Sequence, residues 1–170
     1  KTIRALVPVN LRSLERAADL GNEFGLVFVD LPLGIHNPIE RLGAVRDNMQ
    51  ALKKSYQPVL ALGLLAAMGT GPRMLQEALL AILARNASAV LTNVPGPQQP
   101  LYMMGARLLD AFPIVPLTRN LSVVVGILSY DGTLHFGLWA DRDACADVEV
   151  LASGIDDAFT ELLKIAQERG

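Results

Sequence analysis

Leu121-Ser122-Val123-Val124-Val125-Gly126-Ile127-Leu128-Ser129-Tyr130, Asp131-Gly132 and Thr133-Leu134-His135-Phe136-Gly137-Leu138-Trp139-Ala140 read as two β runs joined by a two-residue turn. Asp-Gly suits a type I′ turn, whose twist matches that of the strands it joins. So short a loop fixes the register. Tyr130 opposes Thr133, and counting back sets Leu128 against His135, Gly126 against Gly137 and Val124 against Trp139 on one face. The other face carries Val123, Val125, Ile127, Leu134, Phe136 and Leu138 and is expected to meet the core. The two facing glycines make a notch, open either to a ligand or to the close approach of another backbone.

Upstream, Ala89-Val90-Leu91-Thr92-Asn93-Val94-Pro95-Gly96-Pro97 sets an apolar β run, expected over 88–94, before a polar pair and a stiff turn. Pro95 and Pro97 each lock φ, lack an N–H and bias the preceding residue to extended geometry, while Gly96 permits close backbone approach. Residues 3–9 alternate, with Ile3, Ala5, Val7 and Val9 on one face. Residues 24–31 are apolar on both faces, as in an interior strand. Asn37 caps a helix beginning at Pro38, with Glu40 third and with Ile39, Leu42, Val45, Met49 and Leu52 as its buried stripe. Pro58 and Pro72 open a helical pair over 58–68 and 72–85, broken by Gly69-Thr70-Gly71. Leu101 to Leu109 reads as extended. A connector with Pro113 and Pro116 follows, read as surface chain or an arm to a partner. Leu151, Ile155, Ala158, Phe159, Leu162, Leu163 and Ala166 mark one face of a terminal helix capped by Asp147. Strands mixed with helices, with no repeat, give an α/β two-layer sandwich: a mixed β-sheet covered by helices, one domain over 1–170.

At 170 residues the chain buries roughly two thirds of its unfolded surface. A net charge of -2 with scattered basic residues lacks the basic stripe that nucleic acid demands. Cys145 is alone, so neither an internal disulfide nor a cysteine-based zinc site is available, which suits a reducing, cytoplasmic setting. The longest apolar run, Val59 to Gly69, is about half the ~20 residues that cross a bilayer. A 51% hydrophobic fraction with 19% charged residues suggests apolar surface facing a partner or lipid. Lys1-Thr2-Ile3-Arg4 opens directly in a strand, as expected where the true start lies upstream.

Thr92-Asn93-Val94-Pro95-Gly96-Pro97 resembles the C-terminal half of bacterial wax ester synthase/diacylglycerol acyltransferases. So, in order, do Val7-Pro8-Val9-Asn10-Leu11-Arg12, Gly21-Asn22, Ser129-Tyr130-Asp131-Gly132 and Trp139-Ala140-Asp141-Arg142-Asp143-Ala144. The resemblance spans essentially the whole chain. It implies a chloramphenicol-acetyltransferase-like lobe and transfer of a fatty acyl group from acyl-CoA to diacylglycerol or a long-chain alcohol. Acyl-CoA is then a co-substrate, and no permanently bound cofactor is implied. The family's base is the second His of His-His-x-x-x-Asp-Gly, a motif this sequence lacks; His36 and His135 are isolated. The implied partner is therefore an N-terminal lobe carrying that motif, and the chain alone is expected to be inactive. Peripheral attachment to a membrane or lipid inclusion is what the family suggests. The apolar flap from Val59 to Ala84 is the candidate contact, or else it packs on the missing lobe.

Acyl transfer to a hydroxyl needs a base and a donor to the tetrahedral oxyanion. Thr92-x-x-Pro95 is similar to the Ser-x-x-Pro strand end of chloramphenicol acetyltransferases, which implies Thr92 as that donor, with Asn93 orienting it or fixing the turn. The alternative is that both side chains only bond nearby backbone. Asn93, Pro95, Gly96 and Pro97, with Gly126, Gly137 and Trp139 at the notch, form the expected substrate-binding set. There the notch admits an acyl chain or pantetheine arm with Trp139 as its wall, or serves close packing. His135 is read as a partly exposed structural residue rather than a base. Asp141-Arg142-Asp143 is read as local ion pairs, so no metal is inferred. The rival reading is a lipid- or acyl-CoA-binding or scaffolding module of the same fold without chemistry.

Overall fold

The computed structural model describes residues 1–11, 24–57, 60–63, 71–117 and 121–169. In chain order they form β1 (Thr2–Asn10), β2 (Phe24–Pro32), α1 (Pro38–Lys53), α2 (Arg73–Arg85), β3 (Ala89–Pro95), β4 (Tyr102–Met103), β5 (Ala106–Arg107), β6 (Val123–Tyr130), β7 (Thr133–Ala140) and α3 (Val148–Arg169). Of the helix expected over 58–68, residues 60–63 are described and helical. The remainder of that helix, with Thr70, Arg12, Gly21 and Asn22, lies outside the described residues.

Five strands form one mixed sheet in the order β2-β1-β3-β6-β7. β1, β3 and β6 run parallel, and β2 and β7 flank them antiparallel. All three parallel strands thus end on one side of the sheet, at Asn10, Pro95 and Tyr130. The turn between β6 and β7 has φ of 47° at Asp131 and 79° at Gly132, the two positive values of type I′. Every pairing expected across that hairpin, Gly126 with Gly137 included, is present.

One sheet face meets the helices. Val9, Val27 and Val29 are buried there, and Met49 and Leu52 of α1 pack against them. Asn37 caps α1 as expected, accepting from the Ile39 and Glu40 amides at 2.9 and 3.2 Å. Three expectations need correction. First, β2 is an edge strand. Two apolar faces report two covered faces, and only β1 pairs with it among the described strands. Second, no α1 residue is fully buried, and Leu42 points to solvent, because the helix rests on the sheet through its C-terminal half. Asn48 fastens that half by donating from Nδ2 to the Asp30 carbonyl at 3.2 Å. Third, the inward stripe of α3 is offset from the expected one: Ile155, Ala158 and Leu162 are half-buried as expected, joined by Val148, Ala152 and Ile165, and Phe159 packs edge-on against Phe136, whereas Leu163 and Ala166 are exposed. Asp147 stands just before α3, its carbonyl accepting from the Val150 amide at 3.0 Å.

The opposite face is covered over β6 and β7 by the connector. Ala111, Pro113, Val115 and Leu117 turn inward and Phe112, Ile114 and Pro116 outward, the period of an extended chain. The connector is therefore a strap laid on the sheet, not free surface chain. Leu101 to Leu109 is likewise not simply extended. β4 and β5 pair as a small hairpin about Met104 and Gly105, whose φ are 51° and 86°. Over β1 and β2 the same face carries a cross-strand ion pair, with Arg4 Nε donating to Asp30 Oδ1 at 2.8 Å. That hydrogen bond, with the charge behind it, holds the Asp30 carboxyl below its usual range.

Candidate functional site

β3 delivers Thr92 and Asn93 near the carboxyl ends of the parallel strands, the side on which open α/β sheets receive ligands. Period-two alternation sends the two side chains to opposite faces. Thr92 lies in one cross-sheet row with Gly126 and Gly137, and Asn93 in the next with Ile127 and Phe136. Asn93 therefore faces away from Thr92 and does not orient it. Thr92 is half-buried and Asn93 exposed. Neither side chain has a hydrogen-bond partner among the described residues, so the purely local backbone bonding considered for them is not what the structure contains.

The loop that follows is locked onto the hairpin end. Ser129 Oγ accepts from the Gly96 amide at 3.2 Å and from Gln98 Nε2 at 3.0 Å, while Gln98 Nε2 also donates to the Gly96 carbonyl at 2.9 Å. The Asp131 amide donates to the Pro97 carbonyl at 3.0 Å. Gly96 is obligatory here for its missing side chain. A Cβ would collide with the Ser129 carbonyl oxygen and stand 3.2 Å from Leu128 Cδ1.

Beneath the loop, Tyr130 is 2% exposed. Its hydroxyl accepts from the Leu101 amide at 2.9 Å and donates to the Leu108 carbonyl at 2.9 Å. Arg107 Nη2 meets Asp131 Oδ2 at 2.8 Å, and that hydrogen bond raises the pKa of the guanidinium further. The β4–β5 hairpin is thereby tied to the same turn that holds Pro97. Tyr130→Phe strands two backbone groups at once and is expected to destabilise the fold by about 1–3 kcal/mol, as read from urea unfolding. Ser129 and Tyr130 of the Ser129-Tyr130-Asp131-Gly132 motif thus anchor the loop and the hairpin, roles the motif alone does not specify. A polar pair just before an Asp-Gly turn was the available signal.

The notch is occupied. A Cβ on Gly126 would lie 3.1 Å from both Pro113 Cβ and Val115 Cγ2, and one on Gly137 would strike the Pro113 carbonyl oxygen and the Trp139 ring. Trp139 folds over Gly137 rather than walling an open channel. His135 is buried beneath the strap, corrected from partly exposed. Its Nε2 has no partner among the described residues, and the Phe112 ring meets it edge-on with centroids 5.0 Å apart. His36 lies in an exposed loop. Asp141 Oδ1 accepts from the Asp143 amide at 2.9 Å, a local turn bond. The described residues contain no cluster of three metal-ligating side chains.

Sequence patterning did not reveal a cavity of about 980 Å³ between the helix-side face and α3, lined among others by Leu91, Val125, Phe136, Ile155, Phe159 and Leu162. It reaches the row of Asn93 at Phe136, and its volume sits at the upper end of ordinary ligand pockets, about 300–1,000 Å³.

Residues 20–163 match the WS/DGAT C-terminal domain. The chain belongs to the WS/DGAT C-terminal domain family. Among its relatives, the Mycobacterium tuberculosis H37Rv protein named probable diacylglycerol O-acyltransferase tgs1 is 36% identical over 99% of this chain and 37% of its own length. The protein from the same organism named probable diacylglycerol O-acyltransferase tgs2 is 30% identical over 93% of this chain and 36% of its own. The solved wax ester synthase/diacylglycerol acyltransferase from Marinobacter aquaeolei VT8 superposes with a TM-score of 0.70 at 26% identity, covering 98% of this chain and 37% of that one. The WS/DGAT C-terminal domain described here thus spans little more than a third of the relatives it matches. Among the described residues, no helix is long and apolar enough to cross a membrane.

Proposed function

We propose that this WS/DGAT C-terminal domain is one lobe of an acyl-CoA-dependent O-acyltransferase that esterifies diacylglycerol or a long-chain alcohol, with the general base supplied by polypeptide outside this chain. The acceptor oxygen bonds to the thioester carbon as the base takes its proton, and the carbonyl electron pair moves onto oxygen. The Thr92 hydroxyl donates a hydrogen bond to that oxyanion and keeps its proton. On collapse the C–S bond breaks, and the CoA thiolate recovers the proton from the base. Asn93, on the other face, positions substrate together with Pro95, Gly96 and Pro97. Gly126 and Gly137 act at one remove, by seating the strap that borders Thr92, and Trp139 packs within that seat.

The observation that carries this reading is the Thr92 hydroxyl, without a partner among the described residues, on a strand end whose loop is pinned by four hydrogen bonds. Donors fixed before reaction cost no reorganisation when charge develops. The test is CoA-thiol release by the complete gene product. Release is expected only with an acceptor, matched by ester formed and with no burst in its absence. Failure with every acceptor would sink the reading, and a burst without one would replace direct attack by a covalent intermediate.

The cavity under α3 supports a second reading, a lipid- or acyl-CoA-binding module without chemistry. Calorimetry separates the two. Binding of long-chain acyl-CoA by this chain alone favours the module, and binding only in the complete protein favours a site shared between lobes. Attachment to a membrane or lipid inclusion belongs with either reading and is checked by flotation.

A further inference from the structure

An apolar feature that the proposed chemistry leaves unused is the arm from Leu101 to Ile114. Leu101, Tyr102, Met103, Met104, Leu109, Phe112 and Ile114 are all exposed, Met103 at 78% and Ile114 at 78%. Scattered exposed apolar residues are normal, but a contiguous run of them marks an interaction surface. It is also a stiff surface. Tyr130 bridges the backbone on both sides of the β4–β5 hairpin, Leu108 N donates to the Leu101 carbonyl at 2.9 Å, and Arg107 is paired with Asp131. An arm held out so rigidly loses little entropy on docking.

Charge narrows the kind of partner. From Gln98 to Leu117 the only ionic residues are Arg107 and Asp110, and Arg107 is engaged. An anionic membrane surface is recognised through clusters of Lys and Arg, and the arm has none. A protein surface that is apolar at its centre fits instead. The arm is continuous with the Pro95-Gly96-Pro97 loop through the bond from the Asp131 amide to the Pro97 carbonyl. In the Marinobacter enzyme most of the polypeptide lies outside the part this chain matches.

We propose that the arm is the seat for the remainder of the enzyme, so that the lobe bearing the base docks on Tyr102, Met103, Met104 and Leu109 and is held in register with Thr92. This rests on the two-lobe reading above. Seat and loop move as one body, so the docked lobe is referenced to the site through the Tyr130 bridge and the Arg107–Asp131 pair.

The test uses the complete gene product, wild type and Tyr102→Glu/Met103→Glu, in hydrogen–deuterium exchange, acyltransfer and flotation on phosphatidylcholine vesicles containing diacylglycerol. Both substitutions lie at exposed positions, so the lobe is expected to fold, with unfolding in urea as the control. The expected result is slow exchange over 101–109 in the wild type without vesicles. In the variant, exchange there rises at least tenfold and kcat falls at least tenfold. A wild-type arm that exchanges as fast as a free hairpin overturns the proposal. So does a variant that loses flotation while keeping its exchange pattern, which assigns the arm to lipid. Should the variant misfold, Leu109→Asn, at the far end of the arm, is read for the same exchange change. A protected arm in a protein without acyltransferase activity leaves the docking intact and removes the catalytic reading instead.

Discussion

Thr92→Val in the complete enzyme is expected to lower kcat by about 10²–10³, the about 2.7–4 kcal/mol that a single oxyanion donor supplies. Valine keeps the branched shape and the β preference of threonine, so β3 and its pairing with β6 are preserved and only the hydroxyl is lost. The interaction forms as charge develops on oxygen. KM is therefore expected to change little while kcat and kcat/KM fall together. Thr92→Ser should recover much of the loss, since it restores the donor. The hydroxyl has no partner among the described residues, so removing it breaks no structural hydrogen bond there, and the thermal midpoint should stay close to that of the wild type. An undiminished kcat in the folded valine variant rules out Thr92 as the donor. Asn93→Ala is the complementary measurement. Because Asn93 lies on the other face, the two losses are expected to add rather than to behave as one unit.

The hairpin of β6 and β7 was legible because a two-residue Asp-Gly loop determines turn type and register together. Its full pairing follows from counting, down to Gly126 opposite Gly137. The same counting on β3 separates Thr92 from Asn93. Adjacency along a strand is not cooperation in space, because period-two alternation sends neighbours to opposite faces. β2 was misplaced for a different reason: hydrophobicity reports whether a face is covered, not whether an edge is paired. Val27 and Val29 are covered by α1 on one side, and Leu26 and Phe28 are half-buried on the other.

β4 and β5 were hidden because two-residue strands show no alternation, and because Met104 takes a positive φ without the small or polar side chain that usually announces one. The strap was hidden by composition. Ala111, Pro113, Val115 and Leu117 face in and Phe112, Ile114 and Pro116 face out, so both faces are apolar and the period is silent. Only its imprint on the sheet, the facing glycines, could be read beforehand. The cavity under α3 depends on how far a helix stands off a sheet, which no local pattern encodes.

That imprint yields the other large expected effect, on stability. In Gly137→Ala the new methyl runs into the Pro113 carbonyl oxygen and the Trp139 ring, with Trp139 Cη2 at 2.7 Å. The indole can rotate aside, but the Pro113 oxygen belongs to the backbone, in a segment already stiffened by proline. Relief requires the strap to lift. Overpacking of this kind costs about 1–3 kcal/mol, occasionally more, and the lifted strap also uncovers His135 and Val124, so the cost is expected at or above the top of that range. Gly126→Ala is the internal comparison. Its Cβ meets only side-chain atoms, at 3.1 to 3.2 Å, and a shift of a few tenths of an ångström accommodates it. The urea midpoint should therefore fall sharply for Gly137→Ala and slightly for Gly126→Ala. The larger Gly126→Leu should lower the midpoint strongly while leaving acyl-chain preference unchanged, because what it displaces is the strap. A shortened acyl preference at an unchanged midpoint would instead make the notch a substrate channel, and Pro113 a residue that substrate moves aside.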